Sequence, residues 1–188
     1  MSRADATRAR ILQAATAEFA AGGIAGARVD RIAAAAEVNK NLIYVYFHSK
    51  GGLFDAVFEA HVTRGLHQVP FTPDDLPGYA GRLFDYYREH PEVVRLATWH
   101  RLERGDSGDH DPAVAGDARE AKLDALAGTD GPFRPATLLT LVLAIAGAWT
   151  PTSISAIPHT PAAAQDAHEC RDAVVEAVRR LIQQFPGP

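Results

Sequence analysis

Val29 to Lys50, VDRIAAAAEVNKNLIYVYFHSK, is the stretch whose reading decides the fold. Val29, Ile32, Ala33 and Ala36 recur at steps of three and four, which makes one apolar helical face. Ala36-Glu37-Val38 breaks the rhythm. Asn39 follows as an N-cap whose side-chain oxygen can accept a free backbone N–H of the next turn. Ile43 and Phe47, four apart, form the inner side of a second short helix with Val38 beneath them, while Lys40, Asn41 and Tyr44 fall on its outer side. Ser49 caps a third helix that begins at Lys50, where free N–H groups and an ammonium suit a phosphate. Two short helices around a tight turn, the second with a wet outer face, read as a helix-turn-helix suited to a major groove.

Working outward, Ile11, Leu12, Ala14, Ala15, Phe19 and Gly23 precede this stretch and Leu53 follows it. Together with Val29, Ile32, Ala33, Val38, Ile43, Tyr44, Phe47, Ser49 and Lys50 they make the region from about Arg8 to Phe54 resemble the N-terminal domain of TetR-family transcriptional regulators. The resemblance implies an all-α fold of about nine helices: a three-helix DNA-binding domain over 1–50 and a helical effector-binding and dimerisation domain over 51–188. It implies that Lys40, Asn41, Leu42 and Tyr44 face bases, and that Arg28, Asn39, Tyr46 and Lys50 hold phosphates. Several positions depart from the family. Glu37 stands where the turn usually has glycine; a positive φ there costs a residue with a side chain about 1 kcal/mol, so a slightly different turn is expected. Ala27 and Arg28 replace small hydroxyl residues, Leu42 offers only apolar contact such as a thymine methyl, and Gly51-Gly52 replaces an acidic residue.

The chain has 188 residues, 47% of them hydrophobic, enough for one or two domains with a proper core. One cysteine excludes an internal disulfide and, with no leader segment visible, points to the cytoplasm. The longest apolar stretch, Leu138 to Trp149, is too short to span a bilayer, so no membrane partner is expected. The net charge of −4 conceals an asymmetry: residues 1–50 carry seven Lys/Arg against four Asp/Glu, and residues 51–188 carry twelve against nineteen. A locally basic head suffices for phosphate binding, because attraction beyond a Debye length of about 8 Å is screened.

Ser2 with Asp5 resembles a capping box, and a first helix is expected from about Ala4 to Ala21, ended by Gly22-Gly23. Lys50 to about Leu66 reads as a linking helix and Val69 to Pro77 as a loop. Further helices are expected over Gly78–His90, from Pro91 past Leu102, and from Pro112 to about Ala127 behind an Asp111 cap. Ala136 to Thr150 is apolar on nearly every face, and a last helix runs from Pro161 to about Phe185. Leu139, Val142 and Ala146 with Val174, Val178 and Leu181 are the expected contacts of a four-helix homodimer interface.

Aromatic residues cluster in the middle helices. Phe58, Tyr79, Phe84, Tyr87, Trp99 and Trp149, with His61 and His100 as polar tips, are the candidates for a pocket taking a small hydrophobic effector. The resemblance supports a pocket there and leaves its occupant open. His61 and His67 lack ligand spacing, Cys170 has acidic neighbours that disfavour a reactive thiolate, and no nucleophile motif or phosphate loop is present. No metal, cofactor or catalytic residue is therefore expected. The reading is a ligand-responsive regulator, a repressor rather than an enzyme, that binds a palindromic double-stranded DNA operator as a homodimer. The alternative is a helical small-molecule-binding protein or enzyme with a vestigial head, for which Ala27 and Glu37 are the only support.

Overall fold

The computed structural model describes residues 2–105, 112–128, 133–153 and 166–183. Among them are nine α-helices and no strand: α1 Arg3–Gly26, α2 Val29–Ala35, α3 Lys40–Phe47, α4 Lys50–Gln68, α5 Leu76–Glu89, α6 Pro91–Arg104, α7 Ala113–Leu126, α8 Pro135–Ala146 and α9 Ala167–Gln183. A single 3-10 turn, Pro73–Asp75, precedes α5. The fold is all-α, as expected. The residues fall into two compact units, one of 1–64 with 92–115 and the other of 65–91 with 116–188. Packing thus gathers more around the head than residues 1–50.

In the first unit, α1 opens on a complete capping box: Ser2 Oγ accepts from Asp5 N–H at 3.1 Å, and the Asp5 carboxylate accepts from Ser2 N–H at 2.9 Å. The expected stop at Gly22-Gly23 is a kink instead. Gly23 takes φ 63° and ψ −165°, and helix resumes as far as Gly26. The Glu103 carboxylate of α6 makes the restart tolerable by accepting from the N–H of Ile24 at 2.7 Å and of Ala25 at 3.3 Å. No sequence signal ties Glu103 to a turn about eighty residues earlier, which is why the kink was illegible.

The core of this unit joins Ile11, Ala15 and Phe19 of α1, Ile32 of α2, Ile43 and Phe47 of α3, Leu53, Phe54 and Val57 of α4, and Leu96 of α6. The Phe19 and Phe54 rings meet edge to face at 5.2 Å and 87°, a pairing worth about 0.5–1.5 kcal/mol beyond burial alone. Arg104 of α6 donates to both oxygens of Asp55 at 2.8 and 2.9 Å. Gly52 is needed for close approach, since a Cβ there would lie 2.4 Å from the carbonyl oxygen of Phe47.

The turn between α2 and α3 keeps the left-handed geometry despite its glutamate: Glu37 has φ 53°. A different turn was expected, but the backbone holds its course. Val38 N–H donates to Ala33 O at 3.0 Å, Ala36 is buried beneath the turn, and Glu37 absorbs the strain. Glu37→Gly is therefore expected to stabilise the protein by about 0.5–1 kcal/mol, part of the relieved strain being offset by added freedom in the unfolded chain. A chemical-denaturation midpoint that falls would contradict this.

In the second unit α5 packs against both α8 and α9. α5 starts two residues before the expected Gly78, because Asp75 Oδ1 accepts from Gly78 N–H at 2.9 Å with Pro77 in the first turn. α8 ends at Ala146, with Gly147 as its C-cap, rather than at Thr150. The helix expected from Pro112 begins at Ala113, while its expected Asp111 cap, the expected start of the last helix at Pro161 and its end at Phe185 lie outside the described residues. The residues expected to join two copies mostly turn inward. Leu139, Val142, Ala146, Val174 and Val178 are buried within the protomer, and Leu181 is half-buried. The reason is the double packing of α5, which takes the apolar stripes of both helices for the chain's own core. Leu143 and Ile182, each 37% exposed, remain outward on the same helices.

Candidate nucleic-acid interface and ligand cavity

α3 is held by its inner residues and leaves its outer face to water. Asn39 caps it, its Oδ1 accepting from Asn41 N–H at 2.8 Å. Ile43 and Phe47 are buried, while Lys40, Asn41, Tyr44 and Val45 are exposed and Leu42 and Tyr46 are half-buried. Val45 is 70% exposed, the most of any large apolar residue among those described, and sequence reasoning passed over it. Its place five residues beyond Lys40, opposite the Ile43–Phe47 stripe, was the available signal. The guanidinium of Arg8 lies 5.6 Å from the centroid of the Phe47 ring, and Arg10 pairs with Glu37 at 3.8 Å.

The charges on this face are partly committed. Lys40 Nζ pairs with Asp30 of α2 at 2.8 Å. The bond to Lys40 holds the Asp30 carboxyl below the usual carboxylate range, and the same bond to Asp30 raises the Lys40 ammonium above its usual value. Asp30→Asn would free that ammonium, and is expected to tighten DNA binding at low salt and steepen its salt dependence by up to about one counterion. Titration of binding against salt concentration reads this directly; an unchanged slope would mean that Lys40 stays away from phosphate.

Lys50 is already engaged within the protein. Its ammonium does not stand free at the start of α4 but donates to the carbonyls of Ala25 at 3.4 Å and Ala27 at 3.2 Å, closing the C-terminus of α1. Unsatisfied carbonyls there attract a cation, so a phosphate contact by Lys50 would have to compete with them. Arg28 is exposed and offers no side-chain cap to α2; its backbone N–H is taken by Glu18 Oε1 at 3.0 Å.

The eight residues expected to surround an effector do not form one cluster. In the first unit, the His100 ring stacks on Phe58 at 4.2 Å, Trp99 packs against the core, and His61 Nε2 lies 3.1 Å from Thr16 Oγ1. In the second unit, Tyr79 is buried against Phe71 at 5.0 Å and accepts from Lys122 Nζ at 3.2 Å. Burial pushes the Tyr79 hydroxyl up and the Lys122 ammonium down from their ordinary values. Lys122 was not anticipated, because only the fold brings it beside Tyr79.

Phe84, Tyr87 and Trp149 do come together. They line a cavity of about 210 Å³ between α5, α8 and α9, whose wall also includes Arg88 and the buried Cys170. The Phe84 and Trp149 rings meet at 6.2 Å and 83°. Burial, with a smaller contribution from Tyr86, pushes the Tyr87 hydroxyl up to about 12, so it remains a neutral donor at physiological pH.

A helix-turn-helix in one unit and a helical second unit with a cavity define a class, and comparison with known proteins agrees. The family model for bacterial regulatory proteins of the tetR family matches residues 11–57, and that for the tetracyclin repressor-like C-terminal domain matches residues 75–180. The chain belongs to the TetR family of transcriptional regulators. It is 52% identical over 101 residues, 54% of its own length and 53% of the relative's, to the HTH-type transcriptional repressor SCO4008 of Streptomyces coelicolor. It is 34% identical over 111 residues, 55% of its length and 52% of the relative's, to the HTH-type transcriptional repressor NicS of Pseudomonas putida. The chain thus spans about half the length of the curated relatives it matches. The crystal structure of SCO4942 from Streptomyces coelicolor superposes over 97% of this chain and 99% of its own, with a TM-score of 0.77 and 37% identity. No helix among the described residues is long and apolar enough to cross a membrane.

Proposed function

We propose that the protein is a ligand-responsive transcriptional repressor that binds a palindromic operator as a homodimer and leaves it when a small, largely apolar molecule binds. The exposed outer face of α3 carries the reading: Asn41, Tyr44 and Val45 point to water from a helix whose other side is locked into the core. An exposed amide, phenol and branched apolar group have little use on a merely structural helix, and they match base edges and thymine methyls. Two such helices would meet successive major grooves about 34–36 Å apart. SCO4008 and NicS, both repressors by name, favour repression over activation.

Residues 51–188 would receive the effector in the cavity beside Phe84 and join two copies through the outward edges of α8 and α9. Ligand binding would favour a head separation that no longer fits the operator, to the extent of its differential affinity for the two states. The test is a gel shift with DNA flanking the protein's own gene. Retention by a discrete fragment, reversed by a small molecule, is the expected result; no retention of any fragment at low salt would overturn the reading. Leu143→Arg is expected to yield monomers in sedimentation velocity and at least a tenfold loss of operator affinity, since each half-site would then bind alone. A dimer that persists would place the interface elsewhere.

A further inference from the structure

We propose that the cavity between α5, α8 and α9 takes a small organic anion, its acid group paired with Arg88 and its apolar body laid among Phe84, Tyr87 and Trp149. The inference rests on the ligand-responsive reading above and adds the charge class of the ligand.

Among the described residues, Arg88 is the only one lining this cavity that is charged at neutral pH. Its guanidinium lies 5.7 Å from the centroid of the Phe84 ring. A guanidinium lying over an aromatic ring spends none of its N–H groups on that contact, so its fork can meet a carboxylate with two parallel hydrogen bonds. No described carboxylate takes that fork. Asp85, one turn earlier on the same helix, is engaged by Arg171 Nε at 2.7 Å. Arg88 and Phe84 also line a neighbouring open groove of about 570 Å³, together with Glu89, His168 and Asp172. The guanidinium therefore stands where an apolar cavity meets a wet one, and the acidic residues border the groove and not the cavity. The other polar hydroxyl in the wall is already used, since Thr150 Oγ1 donates to Gly147 O at 2.8 Å. A volume of about 210 Å³ is below that of pockets for drug-sized molecules and suits a short acyl or single-ring acid. The competing occupant is an organic cation drawn to the same aromatic faces, but Arg88 already covers Phe84 and would repel it.

Three probes of one chain length separate the cases: octanoate, 1-octanol and octyltrimethylammonium, titrated into the full chain by calorimetry and by tryptophan fluorescence. Octanoate is expected to bind at least tenfold more tightly than 1-octanol, and Arg88→Gln to reduce it to the level of the alcohol while leaving the alcohol within about twofold. Arg88 is exposed, so this variant keeps its fold, and the unchanged binding of 1-octanol verifies it. Equal affinity for acid and alcohol, tighter binding of the cation, a preference that survives Arg88→Gln, or failure of all three to bind would each overturn the assignment. Octanoate added to the protein–operator complex keeps the two proposals apart. Arg88-dependent binding without release of DNA supports the anion site and defeats the regulatory reading. Release by acid and alcohol alike does the reverse.

Discussion

Gly23→Ala is expected to destabilise the first unit by about 3 kcal/mol or more, seen as a large fall in the denaturation midpoint together with loss of DNA binding. Two costs add. With φ 63° and ψ −165°, Gly23 lies in a region that residues with a Cβ rarely enter. The new methyl would also sit 2.5 Å from Glu103 Oε1 and 2.8 Å from two atoms of the Trp99 indole. Neither neighbour can simply step aside. The Glu103 carboxylate is fixed by its bonds to Ile24 and Ala25, and Trp99 is packed against the core. An alanine variant that unfolds with an unchanged midpoint would show that the kink straightens without cost.

The second large effect is on recognition rather than folding. Val45→Asp is expected to lower operator affinity at least a hundredfold, while the folding free energy changes by no more than about 0.5 kcal/mol. At 70% exposure the side chain contributes little to the core, so its replacement is tolerated in the free protein. Against DNA the new carboxylate would meet the phosphate field and replace any contact with a thymine methyl. Val45→Ala is the milder companion, expected to cost the cognate operator more than unrelated DNA. Operator affinity unaffected by Val45→Asp would show that α3 does not enter the groove.

The head was readable in sequence because its signals are local. The Ser2–Asp5 box, the Asn39 cap and the Ile43–Phe47 spacing are each complete within a few residues, and each forms. What escaped reading depends on partners far along the chain. Lys50 was read as a cation waiting for phosphate, because nothing nearby announces that the carbonyls of Ala25 and Ala27 would claim it. The inner faces of α8 and α9 were assigned to a second copy, because apolar excess does not say which neighbour covers it. The aromatic set was treated as one pocket on composition. The fold sends Phe58, Trp99 and His100 to one unit and Phe84, Tyr87 and Trp149 to another. Glu37 is the converse: the family pattern flagged its turn as costly, and the chain keeps the costly geometry.

The bridge from Glu103 to the backbone of Ile24 and Ala25 bears on how the protein is made. A ribosome releases the helix-turn-helix long before α6, yet Leu96 and Glu103 belong to the same unit. Until more than a hundred residues have emerged, the nascent head lacks Leu96 in its core and the Glu103 bridge at its kink. A chimera spliced after residue 50 or 64 would inherit the α3 side chains without that closing piece. Grafts onto foreign sensor domains need to carry α6 along with the first four helices.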